Sequence, residues 1–234
     1  MSVAIVGAGP GDPGLITVRA LELVREAEVL VYDRLVSDEL VAQAVGAARI
    51  SRDGLSQEEV NALLVHHGRR GRAVVRLKGG DPFIFGRGAE EAEALAAAGV
   101  PYQVVPGVST LTAVPGLAGI PLTSRDVAAQ VTVLTGTSAD GGELDYDRLA
   151  GTPGTLVIFM GLRRLEHIAD ELILAGRPVG EGAAVISRLS LPDAEVRIGT
   201  LGTIACVADG MGSPAVTVIG DVVYAARLRE VLAA

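Results

Sequence analysis

The sequence predicts an α/β protein of two αβα lobes, with residues 1–115 in the first lobe and 116–234 in the second. Three observations favour this fold. Strand-like and helical runs alternate in the first half, which is typical of a parallel sheet covered on both faces. After Pro106 strand-like runs dominate and indicate a mixed sheet. The length allows two such lobes with a cleft between them.

In the first half, short runs rich in valine predict strands, and apolar residues at helical spacing predict helices. Ser56 and Glu59 have the spacing of a capping box, which marks the start of a helix. Gly99 is expected to end another helix. The predicted strands are Val3–Gly7, Val29–Tyr32, 73–77 and Tyr102–Val105. The predicted helices are 16–27, 38–45, 57–67 and 89–98.

In the second half, one clear helix is predicted over residues 164–175. The runs 183–188 and 195–199 are separated by a short polar connection, so we expect them to form a hairpin. The predicted strands are 130–135, 155–160, 183–188, 195–199 and Ala215–Ile219.

Composition limits the function classes. The formal net charge is −8 and the sequence pI is about 4.9, which disfavours nucleic acid as a partner. The single cysteine, Cys206, suits a reducing compartment, and we expect it to be a small core residue. The three histidines lack metal-ligand spacing, so no metal is expected. There is no leader-like segment and no apolar run of spanning length, which favours a cytoplasmic protein without membrane contact.

The segment 77–88, Leu-Lys-Gly-Gly-Asp-Pro-Phe-Ile-Phe-Gly-Arg-Gly, is difficult to explain as scaffold alone. An apolar strand ends at a glycine pair, where a ligand can approach the bare main chain. A strand that leads through a glycine-rich loop into a helix is a favoured ligand site in α/β proteins. A tight connection without a ligand is the alternative interpretation.

A second glycine-rich segment, 6–14, follows the first strand and resembles a dinucleotide-binding loop. The pattern Gly-x-Gly-x-x-Gly requires glycine where Asp12 stands, and Pro13 follows. A carboxylate there would face the pyrophosphate of the dinucleotide. A nicotinamide- or flavin-dependent oxidoreductase is therefore a weaker alternative.

Several motifs in order resemble the tetrapyrrole methylase family over nearly the whole chain. Gly-Gly-Asp-Pro is typical of the whole family, whereas Tyr-Asp-Arg-Leu-Val-Ser and Asp-Pro-Phe-Ile-Phe-Gly-Arg-Gly are typical of members that act on uroporphyrinogen. The motifs lie at residues 6–14, 32–37, 77–88, 106–108, 119–123, 159–161 and 213–215.

The resemblance implies that folded S-adenosylmethionine binds in the cleft between two lobes and methylates uroporphyrinogen III at two ring carbons. The product is precorrin-2, formed via precorrin-1, on the branch toward sirohaem or cobalamin. A homodimer is also implied. The implied contacts with the methyl donor are Pro10, Gly79, Gly80, Asp81, Ile84, Ser109, Thr110, Met160, Leu189 and Ala215.

For the acceptor, the resemblance implies that Arg34, Arg87 and Arg125 bind ring carboxylates. Arginine suits this role because its guanidinium pairs with a carboxylate through two hydrogen bonds. Asp33 is the implied proton acceptor and Glu90 a second candidate, although an acid in the first turn of a helix has a purely structural explanation.

Two departures from the family pattern concern proton transfer. The lysine assigned as proton donor in relatives has no counterpart in 49–54, where Arg52 is a poor substitute because arginine does not deprotonate. A histidine common after Thr-Gly is Thr137 here. The alternatives left open are a methyltransferase for a later precorrin, for a protein or for ribosomal RNA, and a binding module without catalysis.

Overall fold

The computed structural model describes residues 3–137, 142–189 and 193–225. The chain forms two compact units that divide between Thr110 and Leu111, a few residues before the expected boundary. The predicted fold class, α/β with a parallel and a mixed sheet, is confirmed. Within the described residues, no helix has both the length and the apolar character needed to cross a membrane.

The first unit contains a five-stranded sheet in which every strand pair is parallel, in the order β3-β2-β4-β1-β5. Its strands are β1 (Val3–Gly7), β2 (Val29–Tyr32), β3 (Ala48–Ser51), β4 (Val74–Lys78) and β5 (Tyr102–Val105). Its helices are α1 (Val18–Glu26), α2 (Asp38–Ala42), α3 (Gln57–Arg69) and α4 (Gly88–Ala97); α5 (Thr110–Leu117) begins at its last residue.

Alternation along the strands divides the first core into two halves. On β4, Val75 and Leu77 pack with α1 and α2, whereas Val74 packs with α3 and α4. The predicted capping box is present: the Ser56 side chain accepts a hydrogen bond from the Glu59 backbone and the Glu59 side chain accepts one from the Ser56 backbone. The sheet is therefore covered by helices on both faces, as predicted.

The second unit contains a mixed sheet in the order β6-β7-β10-β8-β9, in which only β6 and β7 run parallel. Its strands are β6 (Val131–Thr135), β7 (Thr155–Phe159), β8 (Gly182–Ser187), β9 (Glu195–Thr200) and β10 (Ala215–Ile219). Its helices are α6 (Tyr146–Ala150), α7 (Leu165–Leu174) and α8 (Ile204–Val207). The expected hairpin is confirmed as the antiparallel pair β8–β9.

The structure corrects two expectations in the second unit. The sequence predicted one helix, but α6 and α8 are also present, each at most five residues long. Cys206 is exposed and does not lie in the core. It is on α8, where Ile204 is the buried residue, and a position two residues further along a helix points in a different direction.

Candidate functional site

The candidate site residues of the first unit follow the carboxyl ends of four adjacent strands. Pro10 follows β1, Asp33 and Arg34 follow β2, Gly79 and the next residues follow β4, and Ser109 and Thr110 follow β5. These strands are neighbours in the order β2-β4-β1-β5, so their following loops meet at one edge of the sheet. This edge is where open α/β sheets bind their ligands.

Main chain packs directly on main chain in this group of loops. Gly9 and Gly80 form an isolated bridge, with Gly80 N donating to Gly9 O at 2.7 Å and Gly9 N donating to Gly80 O at 3.3 Å. Gly80 has φ of 63°, and a Cβ there would lie 2.8 Å from Thr110 Oγ1. Position 80 therefore requires glycine for conformation and for space.

Gly79 differs from its neighbour. A Cβ at this position would make only an ordinary contact, 3.5 Å from Leu35 Cβ, and Gly79 is partly exposed. Because packing does not require glycine here, the open main chain is available to a ligand.

Asp81 connects two of the loops. Its Oδ1 accepts a hydrogen bond from Phe83 N at 2.9 Å, and its Oδ2 accepts one from Gly107 N at 3.2 Å. The carboxylate therefore orders the main chain around the glycine pair. Sequence analysis had assigned it only a contact with the methyl donor.

Apolar side chains are exposed at the tip of the same loop. Phe83 is 54% exposed and Ile84 is 39% exposed. Phe85, also exposed, has φ of 50°, a left-handed conformation that is unusual for a bulky residue. Exposed aromatic side chains next to open backbone suit a ligand with a flat apolar face.

Arg87 and Glu90 are paired with each other. Arg87 Nε and Nη2 donate to the two Glu90 oxygens at 2.9 and 2.7 Å, and both side chains are about half exposed. The hydrogen bond from Arg87 lowers the pKa of Glu90, which favours its ionised form. Before Arg87 can bind a substrate carboxylate with its fork, this pair must open.

Behind the sheet edge lies a buried charge cluster that sequence analysis missed: Asp33, Arg76, Lys78 and Glu91. Arg76 Nη2 forms a short ion pair with Asp33 Oδ1. Glu91 Oε1 accepts from Arg76 Nε and from Lys78 Nζ, both at 2.9 Å. Arg76, Lys78 and Glu91 are at most 2% exposed, whereas Asp33 is 22% exposed. Asp33 is therefore the member of the cluster that a ligand can reach.

A signal for this cluster is present in the sequence. Arg76 and Lys78 are two residues apart on a strand, so both point to the face of the sheet that Val74 also occupies. Two cations on a buried face require an anion from the covering helices. Glu91, one residue after the candidate Glu90, supplies it.

The site residues of the second unit also lie together. The register pairs Val216 with Phe159 and Ala215 with Ser187, so the start of β10 lies between the ends of β7 and β8. Met160, Leu189 and Ala215 therefore share one edge of this sheet. Met160 is about half exposed and has φ of 53°. An exposed methionine held in this conformation suits contact with a ligand better than core packing.

The remaining arginine candidates are exposed. Arg34 follows β2 in the first unit, and Arg125 lies in a turn closed by the Ser124–Ala128 bridge in the second. Neither forms an ion pair with any residue that the structure describes. Both guanidinium groups are therefore available to an anionic ligand.

The loop after β1 does not fit a dinucleotide. The Asp12 side chain accepts a hydrogen bond from Gly14 N at 2.7 Å and caps a single turn of 3-10 helix, Pro13–Leu15. The backbone donor that would face a pyrophosphate is thus already used by a carboxylate. No group of histidine, cysteine or acidic residues in 3–137, 142–189 and 193–225 could hold a metal ion.

The chain is similar to several known proteins. A family model for tetrapyrrole (corrin/porphyrin) methylases matches residues 2–205. Siroheme synthase 2 of Aeromonas hydrophila subsp. hydrophila is 46% identical over 239 residues, covering 99% of this chain and 50% of that protein. The chain thus spans about half the length of the curated relatives it matches.

Two solved structures are also similar. Uroporphyrin-III C-methyl transferase from Thermus thermophilus, complexed with S-adenyl homocysteine, is 40% identical, with a TM-score of 0.85. The match covers 96% of this chain and 100% of that one. A cobalt precorrin-4 methyltransferase is 29% identical, with a TM-score of 0.87 and 95% of both chains covered. From the family model and these relatives, the chain belongs to the tetrapyrrole (corrin/porphyrin) methylase family.

Proposed function

We propose that this chain is an S-adenosylmethionine-dependent C-methyltransferase that converts uroporphyrinogen III to precorrin-2 via precorrin-1. The observation that carries the proposal is the open main chain at Gly79, flanked by exposed apolar side chains. A relative that is 40% identical, and matched over its whole length, is complexed with S-adenyl homocysteine, the donor product.

The residues present suit this methyl donor. S-adenosylmethionine has no phosphate, and in the loop after β1 the backbone donor of Gly14 is already bonded to the Asp12 carboxylate. When bound, the donor supplies a methyl group carried on a positively charged sulfur. The backbone of Gly79 and Gly80 and the side chain of Ile84 would hold it in the first unit, and Met160 and Ala215 would contact it in the second.

In the proposed reaction, the C–S bond of the donor breaks as a C–C bond forms at a pyrrole carbon. The ring then loses a proton. Asp33 is the proposed acceptor because it is the exposed member of the buried charge cluster and Arg76 fixes one of its oxygens. Glu90 is the weaker candidate, since Arg87 occupies both of its oxygens. Alignment of the donor methyl with the acceptor carbon accounts for much of the rate.

The tetrapyrrole acceptor has eight carboxylates, and arginines are proposed to bind some of them. Arg34 and Arg125 are exposed without ion-pair partners among the described residues, so their full hydrogen-bonding capacity remains. Arg87 would exchange its bond to Glu90 for a substrate carboxylate. Each charged hydrogen bond of this kind contributes roughly 1.5–3 kcal/mol to binding.

A methyltransferase for a later precorrin is the nearest alternative. The lower identity to the cobalt precorrin-4 enzyme, 29% against 40%, favours uroporphyrinogen. Assembly as a homodimer in the cytoplasm is part of the proposal, and light scattering on the purified protein tests the dimer.

Methyl transfer tests the function directly. The protein is incubated with donor labelled in the methyl group and with uroporphyrinogen III, and the product is identified by mass. Two labelled methyl groups per tetrapyrrole are expected. Binding of S-adenosylhomocysteine without any transfer would instead indicate a binding module, and transfer only to a later precorrin would indicate the alternative substrate.

A further inference from the structure

Lys78 is the only lysine among the 234 residues, against nineteen arginines. It is also one of the largest fully buried side chains of the described residues. The remaining cationic positions are all arginine, and the single lysine stands at an inaccessible position. Lysine carries a compact ammonium with three donors, whereas arginine carries a planar fork, so the two cations differ in shape.

The sheet places this ammonium beside Asp33. The register of β2 and β4 pairs Tyr32 with Leu77, and Asp33 N donates to Leu77 O at 3.1 Å. Asp33 therefore follows its strand opposite Lys78. The distance from Lys78 Nζ to Asp33 Oδ2 is 3.8 Å, while Arg76 holds Oδ1.

Glu91 holds the ammonium in place. Its Oε1 accepts from Lys78 Nζ at 2.9 Å and from Gln57 Nε2 at 3.3 Å. Its Oε2 and Gln57 Oε1 have no hydrogen-bond partner among the described residues. Lys78 Nζ keeps spare donor capacity, because an ammonium carries three N–H groups and the bond to Glu91 uses one.

Stability alone explains this arrangement poorly. Burying charges in a core is expensive, and apolar residues of similar volume are often at least as stable. Burial and the nearby Arg76 lower the pKa of Lys78, while Asp33 and Glu91 act in the opposite direction and favour the ammonium. The charged groups that face Lys78 are Arg76 on β4, Asp33 after β2, and Glu91 and Glu90 on α4.

We propose that Lys78 is a positioning residue for the proposed methyl transfer and acts through Asp33: its buried ammonium is electrostatically coupled to the Asp33 carboxylate, which accepts the proton released by the tetrapyrrole. This inference rests on the proposed function for its role in catalysis. The electrostatic coupling between the two side chains can be measured without any substrate.

The first experiment measures that coupling. Protein grown with 15N-labelled lysine gives one side-chain signal, because the chain has one lysine, and its titration is followed by NMR. Asp33→Asn removes the adjacent anion and is expected to move the Lys78 titration to lower pH. Glu22→Gln, which removes an exposed carboxylate on α1, is the control and should leave it unmoved. An Asp33→Asn titration identical to wild type overturns the proposal whether or not the protein is active.

The second experiment follows methyl transfer against pH. Lys78→Met keeps the length of the side chain and removes its charge, and the acid limb of kcat is expected to move to higher pH, since a nearby cation favours an ionised carboxylate. Lys78→Arg restores a cation and should return the limb toward wild type. Arg19→Met, which removes an exposed cation, should not move it.

An acid limb that stays in place in Lys78→Met also overturns the proposal. If that variant does not fold, as judged by binding of S-adenosylhomocysteine, the NMR titration of Asp33→Asn decides alone. Failure of the proposed function looks different, because wild-type protein would then transfer no methyl group while the NMR coupling could still be measured.

Discussion

Two consecutive glycines at the end of β4 have different physical requirements. At Gly80 the positive φ and the nearby Thr110 exclude a side chain, whereas at Gly79 a methyl group fits. Gly80→Ala is expected to lower the free energy of unfolding by about 1–2 kcal/mol or more, because an L-residue is strained in this conformation and Thr110 must also move. Chemical denaturation measures this loss, and unchanged stability would contradict the positive φ of Gly80 and its close approach to Thr110.

Gly79→Ala separates ligand binding from folding. The added methyl group should leave the melting temperature close to wild type but block close approach of the methyl donor to the main chain. We expect affinity for S-adenosylhomocysteine to fall by about tenfold or more, or roughly 1.4 kcal/mol, in calorimetry. The control is Gly46→Ala, where nothing lies within 4 Å of the added atom. Equal affinities in the two variants would show that the donor does not bind at this loop.

Arg87 and Glu90 provide a test of substrate recognition. Arg87→Ala is expected to raise the KM for the tetrapyrrole about tenfold while donor affinity is retained, because one charged contact to a carboxylate is lost. Glu90→Gln weakens the competing pair and should lower the KM or leave it unchanged. If Arg87→Ala weakens both ligands equally, the assignment of this arginine to the acceptor is wrong.

At the residue scale, motif positions were easier to predict than partners. The sequence predicted Asp81 as a candidate site residue, but its two bonds to backbone N–H groups depend on how the loops after β4 and β5 approach each other. Local sequence does not encode that approach. Arg76 was assigned to a buried strand, but its ion pairs were not predicted, because its partners Asp33 and Glu91 are separated from it by 43 and 15 positions.

At the scale of elements, segments with a clear apolar pattern were predicted well, whereas β3 and α5, which lack one, were missed. β3 is an exposed edge strand of four residues and lacks an apolar run. α5 contains Pro115 and Gly116, which normally oppose a helix, and its buried contacts from Val114 and Pro115 outweigh this preference. In both cases tertiary packing forms the element, and local propensity does not reveal it.

The buried charge cluster joins α4 to β4, so its removal should be costly. Glu91→Gln keeps the shape but removes the fully buried counter-ion of Arg76 and Lys78, whose other ion-pair partner, Asp33, is partly exposed. The free energy of unfolding is expected to fall by about 3–5 kcal/mol, as for other broken buried pairs. Glu195→Gln removes one partner of an exposed pair with Arg197 and should cost less than about 1 kcal/mol. Similar losses in urea denaturation for both variants would contradict a structural role of the buried cluster.

At the scale of the whole molecule, the change from a parallel to a mixed sheet was predictable because the connection between two strands limits whether they pair parallel or antiparallel. Helices between successive strands of the first unit require crossovers and hence parallel pairing, whereas the short link from β8 to β9 permits an antiparallel pair.

The exact division between Thr110 and Leu111 was harder to predict, since α5 begins at that point and was not predicted.

The pH dependence of stability is a property of the whole molecule to which His67 contributes. Burial, followed by the nearby His66 and two arginines, lowers the pKa of His67, and its Nδ1 is buried without a hydrogen-bond partner in the part of the chain that the structure describes. A lowered folded-state pKa means that the unfolded chain binds a proton first as the pH falls below about 6.5. Stability from this group is therefore complete above that pH and is lost as the pH falls through the folded pKa.

His67→Gln should accordingly flatten the dependence of the unfolding free energy on pH between about pH 7 and 5. The change in slope should remain well below the roughly 1.4 kcal/mol per pH unit that a full proton difference gives, because the ring is partly exposed and solvent screens it. Urea denaturation at several pH values measures the slope. His167→Gln, which replaces an exposed histidine on α7, is the matched control and should not produce the same flattening. A slope that is equal in wild type and His67→Gln would show that other groups determine the acid sensitivity of the fold.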